Sequence, residues 1–297
     1  MPAETFWEFR DDRGRTATAA RRPERIVAYI QAAATLWDHG LRPVGHFGSQ
    51  HDGDTPDPAK SGALALDEIR YLGAGGALRA DEVLTVRPEL LVAVTYDGER
   101  VYGLDGRTAD ELEARVPTVV FGVGPGRALN EVRDRFSALA RSLGAEDGQA
   151  GGEAGKRLDE AADRLRSVAA GSPGRRVLAL SPAGTDSVHL ARPGAWPDLR
   201  ALSELGVGMV EPPDGAGANW ATVGWADAVS LGATVVLTDV RANAARPEEM
   251  KSAAWRVLEA EVTHVPWNPE VPCSALAHAR FFDGVADALE AGAAGHP

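Results

Sequence analysis

The sequence predicts an α/β protein: two α/β lobes with mainly parallel sheets, joined by one long linker helix. Three observations lead there. First, Gly152 to Ala170 places Leu158, Ala161, Ala162, Leu165, Val168 and Ala169 three and four apart. That spacing is one helical stripe, and charged residues fill the opposite face. Second, the two flanking halves echo each other. Each reads strand, helix, Leu or His, Gly, strand: PERIVAYI, QAAATLWDHG and LRPVGHF before the helix, GRRVLAL, DLRALSELG and VGMVEP after it. Third, 297 residues with 44% hydrophobic content suit two cores better than one. The boundaries predicted are 1–147 for the first lobe, 148–172 for the linker helix and 173–297 for the second lobe. An ordinary helix inside one large α/β domain is the plainer alternative.

In chain order, Phe6 to Ala19 alternates loosely around the turn signal DDRGR and predicts a short hairpin. Ile26 to Ile30 is an apolar run fit for a buried parallel strand. A helix from about Ala32 to His39 stops at Gly40, a residue that tolerates the left-handed conformation of a helix end. His39 at that end is favoured by the helix dipole. His46 to Gly62 is a long polar loop rich in Asp, Pro and Gly, of the kind that carries function or moves. A helix from about Ala80 to Val86 precedes Pro88 and the strand ELLVAVTY. The loop Asp97 to Thr108, a helix ending near Val116, the strand PTVVFGV and the periodic helix Ala128 to Leu143 complete the first half. Breakers fence the linker helix at Gly148–Gly152 and Gly171–Gly174, and at about 1.5 Å per residue it spans about 27 Å. Glu160 stands four before Arg164, the favourable order for an ion pair.

The second half opens with the strand Arg176–Leu180 and a hairpin at DSVHLARPG. The helix Leu199–Leu205 and the strand Val207–Val210 follow, then the Pro- and Gly-rich loop EPPDGAGANWATVGW. A short helix, the strand ATVVLTDV, the helix Ala253–Glu259, the edge strand VTHVPW and the amphipathic helix Ala275–Leu289 close the chain. Strands alternating with helices argue for parallel sheets in both lobes.

The formal charge of −12 argues against a nucleic-acid partner and also serves plain solubility. No run of about 18 apolar residues spans a membrane. The single cysteine, Cys273, excludes an internal disulfide and a cysteine metal cluster, and leaves the redox compartment undecided. The opening MPAETFWEFRDDRGR lacks the pattern of a secretory signal, and no lipid-bearing cysteine stands at the start. The expectation is a cytoplasmic protein if Met1 is native, and an extracytoplasmic or cell-surface one if a leader has been removed.

Three segments carry a resemblance. Arg21–Gly45 (RRPERIVAYIQAAATLWDHGLRPVG), Leu72–Val94 (LGAGGALRADEVLTVRPELLVAV) and Val223–Val240 (VGWADAVSLGATVVLTDV) stand in an order and spacing that resemble the iron–siderophore and cobalamin substrate-binding proteins of ABC importers. The resemblance covers about Asp11 to Ala288. It implies the helical-backbone, class III periplasmic-binding-protein fold, no catalysis, no resident cofactor, and capture of a ferric siderophore or related metal chelate in an interlobe cleft. It also implies a monomer and an ABC permease as partner. Family members usually place one glutamate on each lobe for permease docking. Here Asp81, with Glu82 beside it, matches in the first lobe, and Ala226, with Asp227 beside it, matches in the second. Acids in a helix's first turn also serve the dipole. The alternative is a cytoplasmic carrier, sensor or biosynthetic accessory with no permease.

In open α/β sheets ligands bind beyond the carboxyl ends of strands. That rule selects Tyr29, Gln31, Phe47, Ser49, Gln50, His51, Tyr96 and Arg100 in the first lobe. In the second it selects Thr185, His189, Arg192, Trp196, Trp220, Trp225, Asp239, Arg241 and Trp267. Aromatic walls with a few arginines suit a large planar or chelate-like anion, by stacking and charge-assisted hydrogen bonds. The plainer reading of any one Trp is core packing, and of Arg100, Arg192 and Arg241 a solvated surface charge. Siderophore, cobalamin and haem would all accept such walls. A bare metal site would need His46, His51 and His189 to converge. An enzyme reading rests on GVGPGR (Gly122–Arg127), which has the outline of a dinucleotide loop with Arg127 where the third Gly belongs. Cys273, with His278 five residues on, is a reactive thiol or an inert buried one.

Overall fold

The protein is described here by a computed structural model covering residues 6–145, 149–246 and 249–291. β1 (Trp7–Arg10) and β2 (Thr16–Ala19) form the antiparallel hairpin. The Asp11 carboxylate closes its turn by accepting from the Arg13 and Arg15 amides at 3.0 and 2.9 Å, a short polar side chain standing in for backbone.

In the first lobe β3 (Ile26–Tyr29), α1 (Ile30–Asp38), β4 (Gly45–Gly48) and β5 (Arg70–Ala74) run in sequence. α2 (Ala80–Leu84), β6 (Leu90–Thr95), α3 (Gly106–Glu113), β7 (Thr118–Gly122) and α4 (Leu129–Ser142) follow. The strands are all parallel, in the order β5-β4-β3-β6-β7. β3, β4, β6 and β7 are buried along their whole length, as continuous apolar runs covered on both faces must be. Strand order reverses between β3 and β6, which makes that pair the topological switch point.

α5 (Gln149–Gly171) is the linker helix, and its stripe is buried at Leu158, Ala161, Leu165 and Ala169. Arg164 does not pair along its own helix with Glu160. It reaches Asp283, Asp287 and Glu290 of the last helix at 3.4, 2.6 and 2.7 Å. Three carboxylates on a packed neighbour outweigh one partner on an exposed helical face, where a pair is worth only a few tenths of a kcal/mol.

The second lobe contains β8 (Val177–Pro182), β9 (Ser187–Ala191), α6 (Pro197–Glu204), β10 (Trp220–Gly224) and α7 (Trp225–Ser230). β11 (Val235–Asp239), α8 (Ala253–Glu261), β12 (Thr263–Trp267) and α9 (Ala275–Ala291) complete it. Its order is β10-β9-β8-β11-β12, with β8, β11 and β12 parallel and β9 and β10 antiparallel. The reversal here falls between β8 and β11. The hairpin expected at DSVHLARPG is one arm only, β9, and its partner is β8.

The expected strand at Val207–Val210 reduces to a single parallel bridge, Val177 to Met209. Val177 donates to Gly208 and Val210 donates back to Val177, at 2.9 and 2.8 Å. Pro212 and Pro213 then follow without amide donors, so the ladder cannot continue. β5 and β10, which periodicity did not reveal, are short, partly exposed strands; β10 lies at a sheet edge within a Gly- and Pro-rich stretch.

The chain divides into two compact units. The first runs to Gly152 and takes back Glu270–Ser274; the second holds Glu153–Pro269 and the chain from Ala275 on. The division therefore falls inside α5. Among the described residues no helix is long and apolar enough to cross a membrane.

Candidate functional site

The carboxyl ends of β3, β4 and β6 put Tyr29, Phe47 and Tyr96 on one rim of the first lobe. Tyr29 caps the strand and begins α1, so its side chain is fixed by both elements. Its ring lies 5.7 Å from Phe47 and 5.5 Å from Tyr102, and Tyr102 lies 4.7 Å from Tyr96. Tyr29 and Phe47 are fully buried; Tyr96 and Tyr102 are half-buried. The rim is drawn tight by backbone. Gly75 donates to both Gly48 and Ser49 carbonyls at 3.1 Å, and a Cβ on Gly75 would land on the Gly103 carbonyl oxygen. A Cβ on Gly124 would meet the Tyr96 carbonyl in the same way.

Beneath this rim lies a buried charge cluster that periodicity could not show. The Lys60 ammonium, fully buried, donates to Asp52 at 2.6 Å and Ser49 Oγ at 3.1 Å, and sits 3.3 Å from Glu270. The Tyr29 hydroxyl donates to Glu270. Burial, and then the Glu270 carboxylate, raise the Tyr29 phenol well above its usual range, so it stays a protonated donor. Gln31, Thr35 and Asp38 are spaced four and three apart on one face of α1. They bind Val271 O, Cys273 N and Ser274 Oγ at 2.9, 2.8 and 2.5 Å. Gln31 is thereby committed to a structural contact, and Cys273 is buried. The one signal for Lys60 was compositional: it is one of three lysines in an arginine-rich chain, placed among Asp52, Asp54 and Asp57. Glu270 carried no local signal, because 241 residues separate it from Tyr29.

A cavity of about 300 Å³ opens where β6 and β7 end, lined by Thr95, Tyr96, Asp97, Asp12 and Arg127 among others. Asp12 accepts from Gly122 N and from Arg135 at 2.9 and 2.7 Å, with Arg127 at 3.8 Å. Asp97 is held below the usual carboxylate range, first by the Arg100 amide. Arg100 itself is highly exposed and returns to Asp97 at 2.7 Å. Gln50 and His51 lie on an exposed loop.

In the second lobe Trp220 of one edge strand and Trp267 of the other meet, rings 5.9 Å apart, with Trp196 at 5.2 and 6.0 Å from them. Trp196 and Trp267 are buried, and Trp220 is half-exposed. Trp267 Nε1 donates to Asp198 at 2.7 Å. Burial pushes that carboxyl up to about 6, against the lowering effect of the indole bond. Trp225 is core, 4.9 Å from Trp255, with its indole on the Gly184 carbonyl at 3.0 Å. Asp239 ends β11 and grips Arg241 through both oxygens, at 2.8 to 3.2 Å. His189 shares a hydrogen bond with Thr222 at 2.8 Å; burial lowers its pKa, partly offset by Asp239. Thr185 donates to Glu249 O at 3.2 Å. Arg192 follows an antiparallel strand, so it falls beside the amino half of β8 rather than at the carboxyl rim. It donates to the Gly217, Pro213 and Gly215 carbonyls at 3.0, 3.2 and 3.3 Å.

His46 is buried in β4 with no hydrogen-bond partner on either ring nitrogen. No group of three His, Cys, Asp or Glu among the described residues is placed to hold a metal ion. Gly122–Arg127 does join β7 to α4, with the Arg127 side chain lying against Gly122. On the first lobe Asp81 is exposed and 3.3 Å from Arg115, while Glu82 accepts from the Arg79 amide at 3.1 Å as a helix cap. On the second, Ala226 and Asp227 are both exposed in the first turn of α7.

No family model and no curated protein matches the chain. Solved structures do. The chain is similar to DesE, a ferric-siderophore receptor protein from Streptomyces coelicolor, with 29% identity and a TM-score of 0.86 over 96% of this chain and 98% of that one. It has the fold of the siderophore periplasmic binding protein from the fuscachelin gene cluster of Thermobifida fusca, at 16% identity and TM-score 0.62 over 91% and 97%. The Fe3+-Desferal-bound siderophore binding protein FhuD from Vibrio cholerae is similar to the same degree, 16% and 0.62 over 90% and 97%. The fold is therefore the one the sequence resemblance implied: two α/β lobes with mainly parallel sheets and a helical linker, as in class III periplasmic binding proteins.

Proposed function

We propose that this protein is a solute-binding protein that captures a ferric siderophore or related metal chelate for ABC-type uptake, without catalysis. The observation that carries the reading is the match to the ferric-siderophore receptor along nearly the whole of both chains. The site supports it. Tyr29 and Tyr96 stand at the carboxyl ends of the first lobe's switch-point strands with Tyr102 beside them, and Trp220 and Trp267 gather from the two edge strands of the second lobe's sheet. Such groups offer wide contact faces at little entropic cost. The proposed place of action is extracytoplasmic. Asp81, Glu82 and Asp227 are the proposed permease contacts, being carboxylates on the first turns of α2 and α7.

Titration of tryptophan fluorescence against ferric hydroxamates, ferric catecholates, haem and cobalamin tests this reading. Saturable quenching by at least one ferric chelate is expected; no response from any, by fluorescence and by calorimetry, removes it. Reversing Asp81, Glu82 and Asp227 to Arg should cut cellular uptake while leaving chelate affinity intact. A second reading, a cytoplasmic carrier or sensor without a permease, is favoured by Ala226 standing where a docking carboxylate is expected. Native-cell fractionation separates the two, since an extracytoplasmic pool excludes it.

A further inference from the structure

From the way the second lobe's tryptophans back one another, we infer that Asp198 is a positioning residue for chelate capture: through Trp267 it fixes the direction of the half-exposed Trp220 ring. The inference rests on the siderophore-binding reading and deepens it.

Of the second lobe's tryptophans, Trp196, Trp225, Trp255 and Trp267 are buried, and Trp220 is half-exposed. Trp220 is therefore the ring that can lie against a guest, and its direction is set from behind. Trp196 and Trp267 stand at 63° and 56° to it and at 89° to each other, edge-to-face and tilted contacts that favour one mutual orientation. The χ2 torsion of a tryptophan is broad and roughly two-fold. The bond from Trp267 Nε1 to Asp198 at 2.7 Å selects one setting of that ring. Asp198 is only 4% exposed. A leucine there would fill similar space without taking a carboxylate out of water, a cost that the bond to the indole donor offsets. The same turn of chain holds Trp220 a second time. Trp196, two residues before Asp198, donates its indole N–H to the Asn219 carbonyl at 3.3 Å, and that oxygen also accepts from the Arg192 amide at 2.9 Å. The Trp220 ring and the peptide before it are thus both held from residues 196–198. Gly217, at φ +103°, leaves room below, where a Cβ would lie 2.3 Å from the Trp220 carbonyl oxygen. Asp198 also stands in the first turn of α6, where an acid serves the helix dipole. That second role predicts a loss of stability alone, whereas positioning predicts a change at Trp220 and in affinity.

The experiment uses the intact protein labelled with 5-fluorotryptophan, each fluorine resonance assigned by a Trp→Phe variant. Dissociation constants are measured for ferric desferrioxamine, ferric enterobactin, haem and cobalamin. Asp198→Leu removes the acceptor. It should shift the Trp220 and Trp267 resonances of the unliganded protein and weaken whichever chelate the parent binds by about tenfold, the effect of one unmet buried donor. Asp198→Asn keeps an acceptor oxygen and should recover most of that affinity and the parent Trp220 resonance. Trp267→Phe breaks the same bond from the other side and leaves α6 its carboxylate. It should shift Trp220 and weaken binding alike, and it decides the matter where Asp198→Leu does not fold. Adding Asp198→Leu to Trp267→Phe should cost no more than about a further twofold. A Trp220 resonance and an affinity at parent values in Asp198→Leu or in Trp267→Phe overturn the inference, as do losses that simply multiply in the double variant; siderophore capture then still stands. Binding of none of the four chelates by the unaltered protein overturns both.

Discussion

Replacing Lys60 by Met keeps most of the side chain's volume and removes its charge. Asp52 and Glu270 would then face each other across a fully buried space with no cation between them, and Ser49 would lose its donor. Breaking a buried pair from one side costs about 3–5 kcal/mol, because the stranded carboxylates keep their desolvation penalty. Here two carboxylates are stranded, so the upper part of that range is expected. For a unit of this size each kcal/mol shifts Tm by about 2–4 °C, which puts the loss on the order of 10–20 °C. Calorimetry of Lys60→Met, with Glu270→Gln and the double variant, closes a thermodynamic cycle. The double variant should recover part of the loss, since the amide that replaces the Glu270 carboxylate still accepts from Tyr29 and no longer repels Asp52. Amide exchange should rise in Glu270–Ser274 in the Lys60→Met variant, as the segment loses its charged anchor. A Tm within about 2 °C of the parent, less than even one kcal/mol would produce, would refute the claim that this cluster secures the segment.

His46 and Asp198 predict pH dependences of opposite sign. Burial lowers His46 from 6.5 to about 4. The folded state thus binds fewer protons there than the unfolded one, and stability falls as pH drops from about 6.5 toward 4, by about 3 kcal/mol in all. His46→Phe should flatten this limb of the thermal unfolding profile; an unchanged acid limb would count against a neutral buried imidazole. Asp198 is raised from 3.8 to about 6, so its folded form holds a proton the unfolded form has released. Its contribution is complete below about pH 4 and is lost as pH rises through 6, by about 2–3 kcal/mol. Asp198→Asn should abolish that slope together with the accompanying change in Trp267 emission, and persistence of both would sink the assignment. Gly75→Ala should cost about 2 kcal/mol or more and weaken chelate binding, because its methyl must displace the Gly103 carbonyl; affinity and Tm equal to the parent would show that the rim yields.

Much of the architecture was legible because it is written in local periodicity. The linker stripe at Leu158, Ala161, Leu165 and Ala169 and the buried runs of β3, β6 and β7 depend on neighbours within a few residues. The strands that escaped, β5 and β10, are short and partly exposed, so their patterns resemble loops. Val207–Val210 misled in the other direction: the apolar pattern is that of a strand, and the prolines beyond it stop the pairing at a bridge.

The residues Tyr29, Tyr96 and Trp267 could be placed at strand carboxyl ends from sequence, because parallel sheets present those ends to ligands, whereas Trp220 opens the antiparallel edge strand β10. What each one touches could not be read from sequence. Trp220 and Trp267 lie on opposite edges of one sheet and meet through Trp196, and Glu270 completes a cluster begun by Tyr29. The charges that matter at the rims are sums over residues distant in sequence. Asp12 meets Arg127 and Arg135 from across the first lobe. Periodicity along the chain determined which elements form and where they end. The tertiary structure decided which charges cancel, because electrostatic pairing depends on distance in space and not on order along the chain.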